Sequence, residues 1–127
     1  MIINPQREKP TNRGDADYFS GTVWQDPLVV APEPSRVRIT RVSFEPGART
    51  NWHTHPFGQT LHVLYGLGRV QVEGGPVCEI RAGDTVWIGA KEKHWHGATP
   101  THAMVHLAIH EADSDGNYIA WLEPVTD

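Results

Sequence analysis

The chain has 127 residues, a formal net charge of −4 at pH 7 and one cysteine. Its length is that of one compact domain, and the lack of any block of like charges excludes an evident nucleic-acid or membrane partner and favours a small molecule. The lone Cys78 excludes an internal disulfide and a cysteine-based metal site, and without a long apolar segment we expect a cytoplasmic protein.

The predicted elements are almost all short strands. Segments rich in valine, isoleucine, threonine and aromatic residues follow one another between proline and glycine clusters. In chain order they span 20–25, 35–44, 60–66, 68–73, 78–83, 84–89, 101–111 and 118–123. Several alternate apolar with polar residues, as half-buried strands do, and only 15–19 (DADYF) is compatible with a helical turn. The pattern predicts one all-β domain, 1–127, built as a sandwich or a small barrel.

Two histidine-bearing segments flanked by glycine carry the chemistry. His53 and His55 are two positions apart, so on an extended backbone both side chains emerge on one face. Gln59 follows a short Pro-Phe-Gly turn and could fold back as a third ligand, and one histidine of the second segment, His94 or His96, could complete a metal site. An isolated His-x-His is often a surface accident. Four clustered imidazoles without partners would form a costly core, so metal binding explains them with fewer assumptions.

The spacing of these residues resembles that of the cupin superfamily. The first segment fits its first motif at Gly47, His53, His55, Gln59 and Gly66. Gly83 and His94 correspond to the glycine and the final histidine of the second motif. The resemblance covers most of the chain and implies a jelly-roll-like β-barrel with an N-terminal arm (1–19) and a metal-binding core (37–110). It also implies one divalent metal ion, bound by His53, His55, Gln59 and His94.

The chain departs from the general cupin pattern at Gln59, where glutamate is more usual, and at Gly89 and Lys91 in the turn of the second motif. The stretches FEPGART, WHTHP, GQTL and EKHWHGA resemble the manganese-dependent, cupin-type hydroxynitrile lyases. That resemblance implies reversible cleavage of a cyanohydrin into an aldehyde or ketone and cyanide. It favours Mn(II), whereas the ligand types alone also permit Fe(II), Zn(II), Ni(II) or Co(II). Without a glutamate, the site keeps the full charge of the ion.

The strand 101–111 supplies the expected proton-transfer group. The resemblance implies that His106 is the general base beside the metal, and the alternative is a hydrogen-bonded core histidine. Side chains that share a face with the ligands or with His106 are expected to line a substrate pocket. These predicted pocket residues are Thr40, Val42, Phe44, His96 and His110. His62 has the opposite parity to His53 and is expected to face outward, and His102 is expected in a turn.

Two other functions remain open at this point. A three-histidine site can support an Fe-dependent cupin dioxygenase, and the same fold can serve as a non-catalytic module that binds a metal or a small molecule. For the lyase, the partner is a cyanohydrin or a carbonyl compound. We also expect a homo-oligomer, a dimer or tetramer, because small cupins commonly pair through exposed sheet faces.

Overall fold

The computed structural model describes residues 1–127, and its regular secondary structure consists of strands apart from one 3-10 turn at Gln6–Glu8, so the all-β prediction is confirmed. No helix in it is long and apolar enough to cross a membrane. The strands are β1 (Asn12–Arg13), β2 (Phe19–Ser20), β3 (Val23–Val30), β4 (Val37–Phe44), β5 (Arg49–Thr50), β6 (His53–Thr54), β7 (Gln59–Val72), β8 (Cys78–Arg81), β9 (Thr85–Ile88), β10 (His94–Ala98), β11 (Met104–Glu111) and β12 (Ala120–Trp121).

The strands form two antiparallel sheets that share β7. The first sheet runs β1-β3-β4-β11-β7, with β9 also on β7. In the second, β10 pairs with the far half of β7 and with β5 and β6, β8 pairs with β7, and β2 and β12 extend the edges. The long β7 therefore passes from one sheet to the other and encloses the space between them, as in a jelly roll.

Gly66 lies where β7 changes sheets. On the β11 side the register shifts at this point, because Val105 pairs with Tyr65 but His106 pairs with Val63. Gly66 has a φ of +82°, and a Cβ atom built there would lie 1.9 Å from the carbonyl oxygen of Ala103. The unpaired residue of the bulge is Leu64, two residues before Gly66. At Gly66 itself a side chain would be strained in φ and would clash with the Ala103 carbonyl, which gives the motif glycine a structural reason.

The core lies between the sheets and is built by alternation along the strands. On β11, Met104, His106, Ala108 and His110 are buried, whereas the residues between them are half-buried. This confirms the alternation of the two strand faces predicted for 101–111. The apolar cluster of the core consists of Phe19, Val23, Val42, Phe44, Ala48, Leu61, Val63, Val70, Ile80, Ile88, Ala98, Met104 and Ala108.

The N-terminal segment belongs to the sheets more than predicted. Residues 15–19 form the expected helical turn, with the amide of Phe19 donating to the carbonyl of Asp15. However, β1 pairs with β3 and β2 pairs with β5, and the Phe19 ring is buried in the core. The preceding residues are also attached, because the Thr11 hydroxyl donates to buried Asp26 at 2.5 Å. The arm expected over 1–19 is therefore shorter, because contacts with Asp26 attach the chain before β1 begins.

Gly66 provides a stability test. Gly66→Ala should destabilise the protein through a strained φ and through contact with the Ala103 carbonyl. Gly74 has the same φ of +82° but nothing within 4 Å of a built Cβ, so Gly74→Ala is a matched control for backbone strain alone. We expect about 1 kcal/mol of lost unfolding free energy at Gly74 and roughly 1–3 kcal/mol more at Gly66, measured by urea denaturation. Equal losses would show that the carbonyl contact relaxes without cost.

Candidate metal centre

The two histidine segments meet because their strands pair. His53 on β6 and His94 on β10 are direct register partners. His55 follows β6, and Gln59 begins β7 after a turn in which the amide of Gly58 donates to the carbonyl of His55. All four predicted ligands are buried, with at most 3% of the surface of any one exposed. The fold thus brings together the four side chains that the sequence singled out.

A shared hydrogen-bond pattern orients three of these rings. His53, His55 and His94 each place Nδ1 within hydrogen-bond distance of a backbone carbonyl oxygen. Because a carbonyl only accepts, each Nδ1 carries the proton and each Nε2 presents a lone pair. This is the arrangement in which a histidine is ready to bind a metal ion. The partner carbonyls are those of Asn51 at 2.9 Å, Tyr118 at 2.6 Å and Glu92 at 2.8 Å.

The rings of His53, His55 and His94 lie close together, with Gln59 beside them. The ring centroid of His53 lies 4.2 Å from that of His94 and 5.1 Å from that of His55. Gln59 Oε1 lies 3.2 Å from His94 Nε2, although both atoms are acceptors once His94 carries its proton on Nδ1. His55 Nε2 is buried without a partner. Two acceptors at this distance repel each other, and a cation bound beside them would remove the repulsion.

The donor set fits a divalent transition-metal ion. Neutral nitrogen and oxygen ligands suit Mn, Fe, Co, Ni or Zn. No carboxylate belongs to the set, and the only acidic residue lining the adjacent cavity is Asp15, which is exposed. An ion held here therefore keeps its full charge.

His96 lies close to these ligands but has a different partner. Ring nitrogens of His53, His94 and His96 lie within 4.8 Å of one another. His96 Nδ1, however, lies 3.0 Å from Nε2 of His106 and not near a carbonyl, and its own Nε2 is buried without a partner. A single proton is shared between the two imidazoles, so either ring can be the donor. His96 thus belongs to a histidine pair that adjoins the metal site.

A cavity of about 330 Å³ opens beside His53, His55 and Gln59. Four of the predicted pocket residues line it, namely Thr40, Val42, His96 and His110. Phe44 does not, which corrects the prediction from strand parity. It lies at the end of β4, where its ring packs 5.3 Å from that of His106 and 5.9 Å from that of His96. Parity gives the face of a side chain but not its depth along the strand.

His106 is also outside the cavity wall. It is completely buried on β11, between Phe44 and His96. Its Nδ1 has no partner, and its Nε2 faces His96. The expected general base therefore reaches the cavity only through the ring of His96.

Part of the cavity wall comes from residues to which the sequence analysis gave no role. Tyr118, Ile119 and Trp121 line it from the C-terminal segment, and Tyr18 and Phe19 line it from the N-terminal turn. The Trp121 ring lies 4.9 Å from that of His53 and stacks on Tyr18 at 4.8 Å. The only sequence signal was the apolar pattern of 118–123, which predicted a strand but not the strand on which it packs.

Burial keeps the site histidines neutral. Desolvation, reinforced by the neighbouring imidazole of His94, lowers the pKa of His53 well below its ordinary value. Desolvation is also the main cause that lowers the pKa of His94, His106 and His110 to about 4 and that of His55 below its ordinary value. Near pH 7 these rings are unprotonated, which is the form that binds a metal ion.

The family with the description Cupin domain matches residues 40–110, which contain the four candidate ligands. The chain belongs to the cupin family. A cupin-like protein from Thermotoga maritima, known from its crystal structure, is 38% identical and superimposes with a TM-score of 0.86 over 94% of this chain and 90% of that one. The predicted cupin fold is thus confirmed.

Two further comparisons differ in sequence identity and therefore in what they support. A polyketide cyclase from Streptomyces resistomycificus has a TM-score of 0.73 at 16% identity over 100% of this chain and 89% of that chain, so it shares the fold alone. A protein from Granulicella tundricola named (R)-mandelonitrile lyase is 58% identical over 127 residues, covering 100% of this chain and 96% of that protein.

The lowered pKa values predict how the stability of the metal-free cupin depends on pH. Below the ordinary histidine value of 6.5, the unfolded chain binds protons that the folded chain resists, so the free energy of unfolding should fall as the pH falls toward 4. For His106 alone, whose pKa is about 4, we expect a loss of about 2 kcal/mol between pH 6.5 and 5. Urea denaturation between pH 8 and 5 measures this loss. Stability should be flat above pH 7, and a flat profile down to pH 5 would contradict the prediction.

Proposed function

We propose that this cupin is a metal-dependent hydroxynitrile lyase that reversibly cleaves a cyanohydrin into an aldehyde or ketone and cyanide. The observation that carries the choice of reaction is the 58% identity, over the whole chain, to the protein named (R)-mandelonitrile lyase. The buried, neutral donor set beside a cavity supports the metal-dependent part of the proposal.

The proposed metal ligands are His53, His55, Gln59 and His94. The three histidines are chosen because each has its Nδ1 proton on a backbone carbonyl, which leaves Nε2 free to bind the ion. His96 lacks such a carbonyl partner and is assigned to proton transfer instead. We expect Mn(II), with Fe(II), Zn(II), Ni(II) or Co(II) as the alternatives that the ligand types permit.

A bound ion supplies Lewis acidity that stabilises negative charge on the substrate oxygen. His96 lines the cavity, and its Nε2 has no partner in the protein, so it can accept the hydroxyl proton of a cyanohydrin. The bond between the carbinol carbon and the nitrile carbon then breaks, its electron pair leaves with cyanide, and the carbonyl double bond forms. His96 returns the proton to cyanide and releases hydrogen cyanide. Synthesis follows the same path in reverse.

In this scheme His106 is a positioning residue. Its Nε2 lies 3.0 Å from His96 Nδ1 and fixes both the angle of the ring and the nitrogen that carries the proton. If His106 donates, His96 carries its own proton on Nε2, and if His106 accepts, His96 Nε2 is a free base. When His96 accepts the substrate proton on Nε2, it can pass its Nδ1 proton to Nε2 of His106, so the positive charge is shared by the two rings until the proton returns.

The cavity wall suits a cyanohydrin with an aromatic substituent. Val42 and Ala108 supply apolar surface, and Phe19, Tyr118 and Trp121 supply aromatic surface. An apolar wall with a few convergent polar groups is typical of a small-molecule site. The polar groups here all lie toward the proposed ion, which supports binding of the hydroxyl at that end and of the aromatic ring at the other.

Two further expectations accompany this function. We expect a cytoplasmic location, which the single, unpaired Cys78 supports because free thiols persist in reducing compartments.

We also expect a dimer or tetramer, because exposed apolar residues such as Trp87 and Tyr65 remain on the outer surface of one chain.

The ligand assignment predicts the metal content of variants. Purified protein loaded with Mn(II) and desalted should hold close to one ion per chain, and His55→Ala or Gln59→Ala should hold much less. His62→Ala is the matched control, because His62 is bonded to the Thr85 side chain on the outside of β7. Elemental analysis measures the content. Unchanged metal content in both ligand variants would make the assignment wrong.

The reaction predicts cyanide release from (R)-mandelonitrile by the Mn(II)-loaded protein. His96→Ala should lower kcat by roughly 10²–10⁴-fold while metal content is retained, because it removes the proton acceptor. His106→Ala should lower kcat less, and His102→Ala, on an exposed turn, should leave it unchanged. No cyanide release from any metal-loaded form rejects the lyase. Oxygen consumption restricted to the Fe(II) form would favour a dioxygenase.

A further inference from the structure

The C-terminal strap, residues 117–123, contacts the proposed metal centre although it lies beyond the family match at 40–110. Its only strand pairing is that of β12 with β6, where Trp121 is the register partner of His53 and Ala120 that of Thr54. The Trp121 ring packs against both His53 and the core residue Phe19. The strap thus covers one side of the ligand set.

One of the three carbonyls that orient the ligand histidines belongs to this strap. His53 and His94 bond to carbonyls two residues earlier in the chain, so their own local backbone holds their Nδ1 protons. His55 instead bonds to the carbonyl of Tyr118, 63 residues away, at 2.6 Å. Only the orientation of His55 therefore depends on a distant segment of the chain.

The strap is anchored on the far side of this carbonyl. The amide of Leu122 donates to the carbonyl of Trp52 at 2.9 Å, and the amide of Trp52 donates to that of Glu123 at 3.0 Å. The Asn51 side chain donates to the carbonyl of Leu122, and Lys93 forms an ion pair with Glu123. These bonds fix the end of the strap to the segment that leads into His53.

We propose that the C-terminal strap is part of the metal centre and sets its affinity by positioning His55. The Tyr118 carbonyl holds the proton of His55 on Nδ1 and so keeps Nε2 available to the ion. Without this acceptor, His55 is free to carry its proton on Nε2 and to rotate. Metal binding must then move the proton back to Nδ1 and turn the ring back, which lowers the affinity. Loss of such an outer partner typically weakens metal binding about 10–100-fold. The inference rests on the ligand set of the proposed function.

Two truncations of the metal-free full chain test this inference. Truncation after Asn117 removes the Tyr118 carbonyl and should weaken Mn(II) binding about 10–100-fold, measured by the electron paramagnetic resonance signal of free Mn(II). Truncation after Glu123 is the control. It removes Val125 and Asp127, which bond to Arg49, but keeps the strap, and its affinity should match that of the full chain. Equal affinity in the two truncations overturns the inference.

A second measurement uses the intact chain and stays decisive if the shorter truncation fails to fold. Nitrogen-15 NMR of the metal-free protein near pH 7.5 should show His55 protonated on Nδ1, like His53 and His94. A proton on Nε2 of His55 overturns the inference. If the full chain binds no Mn(II), the inference and the proposed centre fail together. If it binds Mn(II) but releases no cyanide, only the proposed reaction fails.

Discussion

A buried imidazole must place its N–H on an acceptor, and this requirement organises the interior of the protein. Carbonyls of Asn51, Tyr118 and Glu92 each take one Nδ1 proton, so three neighbouring rings are held in one tautomer and each keeps a lone pair on Nε2. Buried lone pairs without donors are unfavourable on their own. Barrel packing imposes the arrangement, and a cation bound there would compensate for it. The same hydrogen bonds would then link the structure to the binding of the ion.

The buried histidines fall into two groups according to the partners of their ring nitrogens. A backbone carbonyl fixes the proton of His53, His55 and His94 on Nδ1. Nδ1 of His96 instead faces Nε2 of His106, and either of these nitrogens can donate. Both groups are buried, so burial does not distinguish them. In the proposed function, the first group holds the ion and the second moves protons, while the amide of Gln59 would bind the ion without cancelling its charge.

Much of the fold followed from local periodicity in the sequence, whereas the set of four candidate ligands followed from the resemblance to cupins. The alternation on β11 and the shared face of His53 and His55 need only the period of an extended strand. Contacts that depend on depth or on distant register were missed. Phe44 has the right parity but lies too deep, and Tyr118 and Trp121 reach the site only because β12 pairs with β6. The pairing of the first strands with the sheets was missed for a similar reason. Nothing in the sequence near Phe19 indicates that its strand pairs with β5.

The path of β7 links the two histidine segments mechanically. Its first residue, Gln59, contacts the side chain of His94, and its last residue, Val72, is the register partner of His94. One strand thus meets the same candidate ligand through a side chain at its start and through backbone pairing at its end. Between these ends, Gly66 lets the Ala103 carbonyl approach β7 closely. A shift of the strand at Gly66 would therefore act on the relative position of two candidate ligands, Gln59 and His94, neither of which is its neighbour in the sequence.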